Sequence, residues 1–343
     1  MSVSTPVMRW RSSAGQVGRA SSVGEADMGI QGECAATLSG AAERRASAME
    51  EIHGVAHEVR HEGLHLHVWE KFTGRPQGKP VLVLAHGSAT GGRESFDLQV
   101  PGQSSYSAMD FLARQGFDVF AFDVRGFGRS TRPEDFLTTE QAASDLNAVV
   151  DDVLALRGTS QVRQVHLLAW SWGTQYGGQF VMAHPEKVAR YASYAQMHAD
   201  SPDLKTRRPR LAVFQRNPYI RITEQGWKLR FHSLTPEAVN DPVVMDAFAR
   251  AAVAAEEKSP TGPQIDVLTR LPLVDPHRIT VPTLMVHGQY DDVADTEGLL
   301  PFFAALPNPD KQYVVIPDGG HMLHLQRGHR RLQQALAAWF SAF

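Results

Sequence analysis

Short apolar runs that end in small or polar residues, spaced by helical patterns, constrain this chain more than any other feature. PVLVLAHG (80–87), FDVFAFD (117–123) and QVHLLAW (164–170) are three such runs. Between the first two lies SSYSAMDFLARQG (104–116), with a serine cap, helical apolar spacing and a terminal glycine. Between the second and third lies the longer helical stretch TTEQAASDLNAVVDDVLALRG (138–158). Runs that are apolar throughout belong to strands covered on both faces, so the alternation predicts a mostly parallel sheet with helices on both sides. LHLHVWEKF (64–72) alternates at period two and adds a strand ahead of these, with the regular pattern beginning at about Gly63. After RYASYA (190–195) the alternation stops, and ITVPTLMVHG (279–288) and KQYVVIPDGGH (311–321) resume it. The expected organisation is therefore a core of 51–196 and 280–343 with an inserted helical lid over 197–279, closed by the amphipathic helix HRRLQQALAAWFSAF (329–343).

Residues 1–50 are rich in Ser, Ala, Gly and Arg without apolar periodicity, and are read as a disordered extension, with Met49 an alternative start. Nothing in that stretch supplies the apolar segment of a secretory signal, and no run anywhere reaches the roughly 18 apolar residues of a membrane-spanning helix. A net charge of -3 argues against nucleic acid as a partner. Cys34, the sole cysteine, rules out an internal disulfide and a cysteine-based zinc site. A cytoplasmic protein acting on a small molecule, without membrane or nucleic-acid partners, is the resulting expectation.

Sheets of this kind bind ligands beyond the carboxyl ends of their strands. Four strand ends stand out: His86-Gly87-Ser88, Ser171, Asp291-Asp292 and His321. The chain order Ser, Asp, His is that of an α/β-hydrolase triad. A serine hydroxyl needs a sharp strand-to-helix turn and a base within reach to act as a nucleophile, and LLAWSWGTQYGG (167–178) offers Ser171 that setting. His321 would take the serine proton and return it to the leaving group, and Asp291 would hold the imidazole in the right tautomer. The backbone N–H groups of Trp172 and Ser88 would stabilise the oxyanion.

Taken together, LAHGSATGG, FDVRGFGRS, LLAWSWGT, PTLMVHGQYDD and DGGHMLH, spread from Val81 to His324, resemble the α/β-hydrolase fold superfamily, of the lid-bearing type. That resemblance implies an α/β fold, a serine esterase activity and no cofactor or metal. It makes Asp123 and Gly126 structural, and favours Asp291, the first acid after HGQY, over Asp292. Asp200 is a further candidate acid, and His324 a rival histidine expected to pack. The chain departs from the usual pattern at Ala169, where G-x-S-x-G would place a glycine, and at HGSATGG, where proline iminopeptidases sharing the SWG elbow carry a glycine-proline-rich loop. The second difference favours an ester or lactone over a peptide, leaving an aminopeptidase or amidase as the alternative and a non-catalytic binding protein as a third. His86, Phe96 and Trp170 are the expected substrate-pocket residues.

His61, Glu62 and His65 match H-E-x-x-H, but a zinc site of that type needs both histidines on one helix face, and Gly63 with the alternation after it argues for strand. Residues 205–230 hold eight Lys and Arg against Glu224 alone, a formal +7 that would steer anionic substrates if it faces the pocket and would be a solvated, paired surface otherwise.

Overall fold

The computed structural model describes residues 51–342 apart from 89, 159–161, 200, 233 and 234. The expected extension, with Cys34 and Met49, and the candidate acid Asp200 lie outside the described residues.

The strands are β1 (Ile52–His61), β2 (Leu64–Thr73), β3 (Val81–Ala85), β4 (Asp118–Phe122), β5 (Val165–Trp170), β6 (Val188–Tyr194), β7 (Tyr219–Arg221), β8 (Lys258–Pro260), β9 (Thr283–Gly288) and β10 (Lys311–Ile316). Eight of them form one sheet in the order β1-β2-β4-β3-β5-β6-β9-β10, antiparallel at β1/β2 and β2/β4 and parallel beyond. Every residue of β3, β4, β5 and β9 is buried, which is what their continuous apolar sequence requires of strands with helices on both faces.

β1 is the strand the apolar pattern does not announce. It is an antiparallel edge whose side chains are mostly exposed, so IHGVAHEVRH needs no hydrophobic alternation to keep its place. His61 ends β1 and His65 pairs with Arg60 from β2, which puts the H-E-x-x-H histidines across a hairpin with Glu62 and Gly63 at positive φ in the turn.

Helices α1 (Gly92–Phe96), α2 (Ala108–Arg114), α3 (Thr139–Arg157) and α4 (Gly173–Ala183) link the core strands. Ser107 caps α2 by accepting from the Asp110 amide, and Thr138 and Gln141 form a reciprocal capping box at the start of α3. Between β6 and β9 the chain folds as α5 (Pro202–Arg207), α6 (Leu211–Phe214), α7 (Glu224–Phe231), α8 (Pro242–Ala255) and α9 (Gly262–Thr269). This insertion is not purely helical: β7 and β8 pair as a short antiparallel ribbon. Helices α10 (Thr296–Ala305) and α11 (His329–Ser341) complete the fold, with Leu332, Leu336, Trp339 and Phe340 of α11 buried against the core.

Candidate active site

Ser171 stands in the turn from β5 to α4 with φ of 58°, a left-handed conformation that non-glycine residues adopt only where surrounding contacts enforce it. Those contacts are visible. Its amide donates to the Tyr194 carbonyl (3.0 Å), and its own carbonyl accepts from the Thr174 hydroxyl (2.6 Å) and amide (2.9 Å). The next turn can form because Gly173 has no side chain: a Cβ there would meet the carbonyl oxygens of Ala85 at 2.5 Å and His86 at 2.8 Å. Ala169 lies opposite Gly177, where a Cβ would come within 3.0 Å of its own. The methyl in place of the usual glycine is thus accommodated by a glycine on the facing helix.

The loops after β9 and β10 bring the other two groups in. His321 Nδ1 lies 3.0 Å from Asp291 Oδ1, and its Nε2 lies 2.8 Å from Ser171 Oγ. An ionised carboxylate only accepts, so Nδ1–H donates to Asp291, and Nε2 accepts from the Ser171 hydroxyl. Asp291 Oδ1 also accepts from the amides of Val293 (2.8 Å) and Ala294 (3.1 Å). Burial pushes the Asp291 carboxyl up, but the neighbouring His321 and the Val293 amide outweigh it and hold the group below its ordinary value.

Asp292 points elsewhere. Both of its oxygens are held by Arg230 of α7, at 2.9 and 3.1 Å, and its backbone carbonyl accepts from the Asp203 amide. Asp291, Asp292 and His321 offer atoms within 4.8 Å of one another, yet this guanidinium already occupies Asp292. Neither the Arg230 pairing nor the Asp203 contact has a signal in the sequence beyond the excess of cations in the insertion.

The amides of Trp172 and Ser88, the candidate oxyanion donors, donate to no other group among the described residues. The Ser88 side chain is tied down from the insertion. Gln264 Nε2 donates to its Oγ (3.0 Å), and the Ser259 hydroxyl donates to its carbonyl (3.3 Å).

A cavity of about 520 Å³ opens over Ser171, lined by Ser88, Trp170 and His321 from the core and by residues of the insertion. Trp170 is one of these wall residues, with its indole N–H donating to the His321 carbonyl (3.2 Å). The other two expected pocket residues need correcting. His86 is fully buried and does not line the cavity: its Nε2 accepts from the Val124 amide (3.1 Å), so Nδ1–H donates to the Gly87 carbonyl. Desolvation lowers its pKa and keeps the ring neutral, a structural role at the end of β3. Phe96 is likewise absent from the wall and packs edge-on behind Trp170. The Trp172 ring is buried against Tyr176 and donates to the Thr139 hydroxyl. His324 packs edge-on against Trp170 beside the Tyr194 hydroxyl, and burial brings its pKa down to about 3. Asp123, after β4, accepts from the amides of Gly92 (2.8 Å) and Arg129 (2.9 Å) away from Ser171, a loop-fixing position.

Residues 80–328 match the family model described as alpha/beta hydrolase fold. A proline iminopeptidase of Heyndrickxia coagulans is 23% identical over 287 residues, 75% of this chain and 89% of that protein. Among solved structures, a thermophilic esterase from Thermogutta terrifontis aligns with a TM-score of 0.59 at 23% identity, covering 83% of this chain and 97% of its own. An esterase from Exiguobacterium antarcticum aligns with a TM-score of 0.61 at 17% identity, covering 84% of this chain and all of its own. At such identities the structural likeness establishes the fold alone.

Proposed function

Because the chain belongs to the alpha/beta hydrolase fold family, we propose that it is a serine hydrolase cleaving a carboxylic ester or lactone through an acyl-enzyme. The observation that carries this reading is the unbroken line from Asp291 through His321 to the Ser171 hydroxyl, at 3.0 and 2.8 Å. Ser171 Oγ attacks the substrate carbonyl carbon while His321 Nε2 accepts its proton, and the oxyanion is held by the amides of Ser88 and Trp172. Collapse of the tetrahedral intermediate releases the alcohol, protonated by His321. A water deprotonated by the same imidazole then hydrolyses the acyl-serine. Asp291 fixes the tautomer and stabilises the imidazolium. The insertion, read as a lid, supplies the outer wall of the cavity.

A second reading, an aminopeptidase or amidase with the same residues, is favoured by the likeness to a proline iminopeptidase over 75% of the chain. Matched chromogenic ester and amide substrates separate the two. Labelling of Ser171 by a fluorophosphonate tests what they share: reaction at Ser171, lost in Ser171→Ala with the fold retained, supports a hydrolase. An unlabelled Ser171 with no turnover would leave a binding protein on a hydrolase fold, and turnover that survives Ser171→Ala would mean that another group carries the reaction.

A further inference from the structure

The insertion carries eight Lys and Arg against one Glu between 205 and 230. Three of those cations are neutralised: Arg207 pairs with Asp203, Lys228 with Asp246, and Arg230 with Asp292 and Asp203. Lys205, Arg208, Arg210, Arg216 and Arg221 meet no carboxylate within ion-pair distance among the described residues, and of these Arg210 and Arg221 line the cavity over Ser171. Asp203 is the one carboxylate among the lining residues, and Arg207 and Arg230 already hold it. Among the described lining residues the wall therefore offers guanidinium donors and no free carboxylate.

Trp227 lines the same cavity, is 6% exposed, and its buried indole N–H finds no acceptor among the described residues. Its ring is held edge-on against Phe248, 4.9 Å between centroids. The indole nitrogen is closed off even from water, so the ring forms part of the wall without donating into the cavity. The outer wall also carries apolar side chains at Phe214, Ile220 and Leu229, alongside the polar Thr206, Thr223 and Gln264.

Taking Ser171 as the nucleophile, as proposed above, we infer that the substrate is an ester with a carboxylate-bearing acyl chain, its anionic end received by Arg210 and Arg221. Planar guanidinium groups suit a carboxylate because they donate in parallel pairs. The apolar side chains in the same lining suit a short methylene chain.

The test uses p-nitrophenyl pentanoate and mono-p-nitrophenyl glutarate, acyl chains of equal length that differ in a terminal methyl against a carboxylate. The glutarate ester is expected to show a kcat/KM about tenfold or more above the pentanoate, the effect of one charge-assisted hydrogen bond, shrinking as salt is raised. In Arg210→Ala/Arg221→Ala the ratio collapses. Equal or lower turnover of the glutarate ester, or a ratio unchanged in the double variant, overturns the inference. Free glutarate binding to the full chain, followed by calorimetry, gives a readout that needs no turnover. Binding weakened in the double variant upholds the anion site even if Ser171 proves unreactive. Absence of glutarate binding overturns it.

Discussion

Gln264 and Ser88, 176 residues apart in sequence, meet in a 3.0 Å hydrogen bond from the amide nitrogen to the serine oxygen. On its other side Gln264 accepts from Arg207 (2.6 Å), which grips Asp203, whose amide donates to Asp292 beside the candidate triad acid. One chain of polar contacts thus runs across the insertion from the acid loop to the loop carrying a candidate oxyanion amide. Gln264→Ala should free that loop, lowering kcat by about tenfold or more with little change in KM, since a misplaced oxyanion donor costs transition-state binding alone. An unchanged kcat with intact thermal stability would show that Ser88 is held adequately without Gln264.

Asp291 and Asp292 should fail in different ways. Asp291→Asn keeps a similar shape but favours the wrong imidazole tautomer, so kcat is expected to fall by about three to four orders of magnitude with the melting temperature nearly kept. Asp292→Asn leaves the Arg230 guanidinium without its bidentate partner and should cost about 2 to 3 kcal/mol of stability, read by urea unfolding. The reverse pattern would exchange their roles.

Strand ends were legible because local chemistry marks them: an apolar run stops, and a small or polar residue follows. The positions of Ser171, Asp291 and His321 could therefore be read from three separate segments that the fold draws together. His86 and Phe96 misled because nearness to such a loop in sequence says nothing about direction. His86 turns inward to the Val124 amide, and Phe96 packs edge-on against Trp170 away from the cavity it was expected to line. β1 escaped notice as an exposed edge strand, and β7 and β8 as three-residue strands too short for a period. The contacts of Gln264 with Ser88 and of Arg230 with Asp292 had no local signature, because polar pairs across an insertion follow from tertiary placement alone.

The methyl of Ala169 and the missing methyl of Gly177 form a compensating pair. Gly177→Ala should destabilise by about 1 kcal/mol or more despite the helical preference for alanine, because its Cβ would come within 3.0 Å of that of Ala169. Adding Ala169→Gly, which restores the usual elbow glycine, should recover most of the loss. Additive effects in the double-mutant cycle would mean the two positions do not share the space.

Glu256, just after α8, joins the insertion to two core loops: it is buried, accepts from the amides of Gly91 (3.1 Å) and Gly128 (3.0 Å), and faces Arg132. Burial, with Asp123 nearby, raises its pKa from 4.5 to about 7 against the lowering by the Gly128 amide and Arg132. In the unfolded chain the group ionises near its ordinary value, so between about 4.5 and about 7 the folded state binds more protons. Its contribution is therefore fully present below that window, is lost as pH rises through it, and is constant above. Glu256→Gln cannot ionise and lacks this term. Melting temperatures of the two proteins, compared at about pH 5 and about pH 8, should show the parent losing ground to the variant as pH rises. A difference independent of pH would mean that Glu256 is already ionised in the folded protein, carried by its two amides and Arg132.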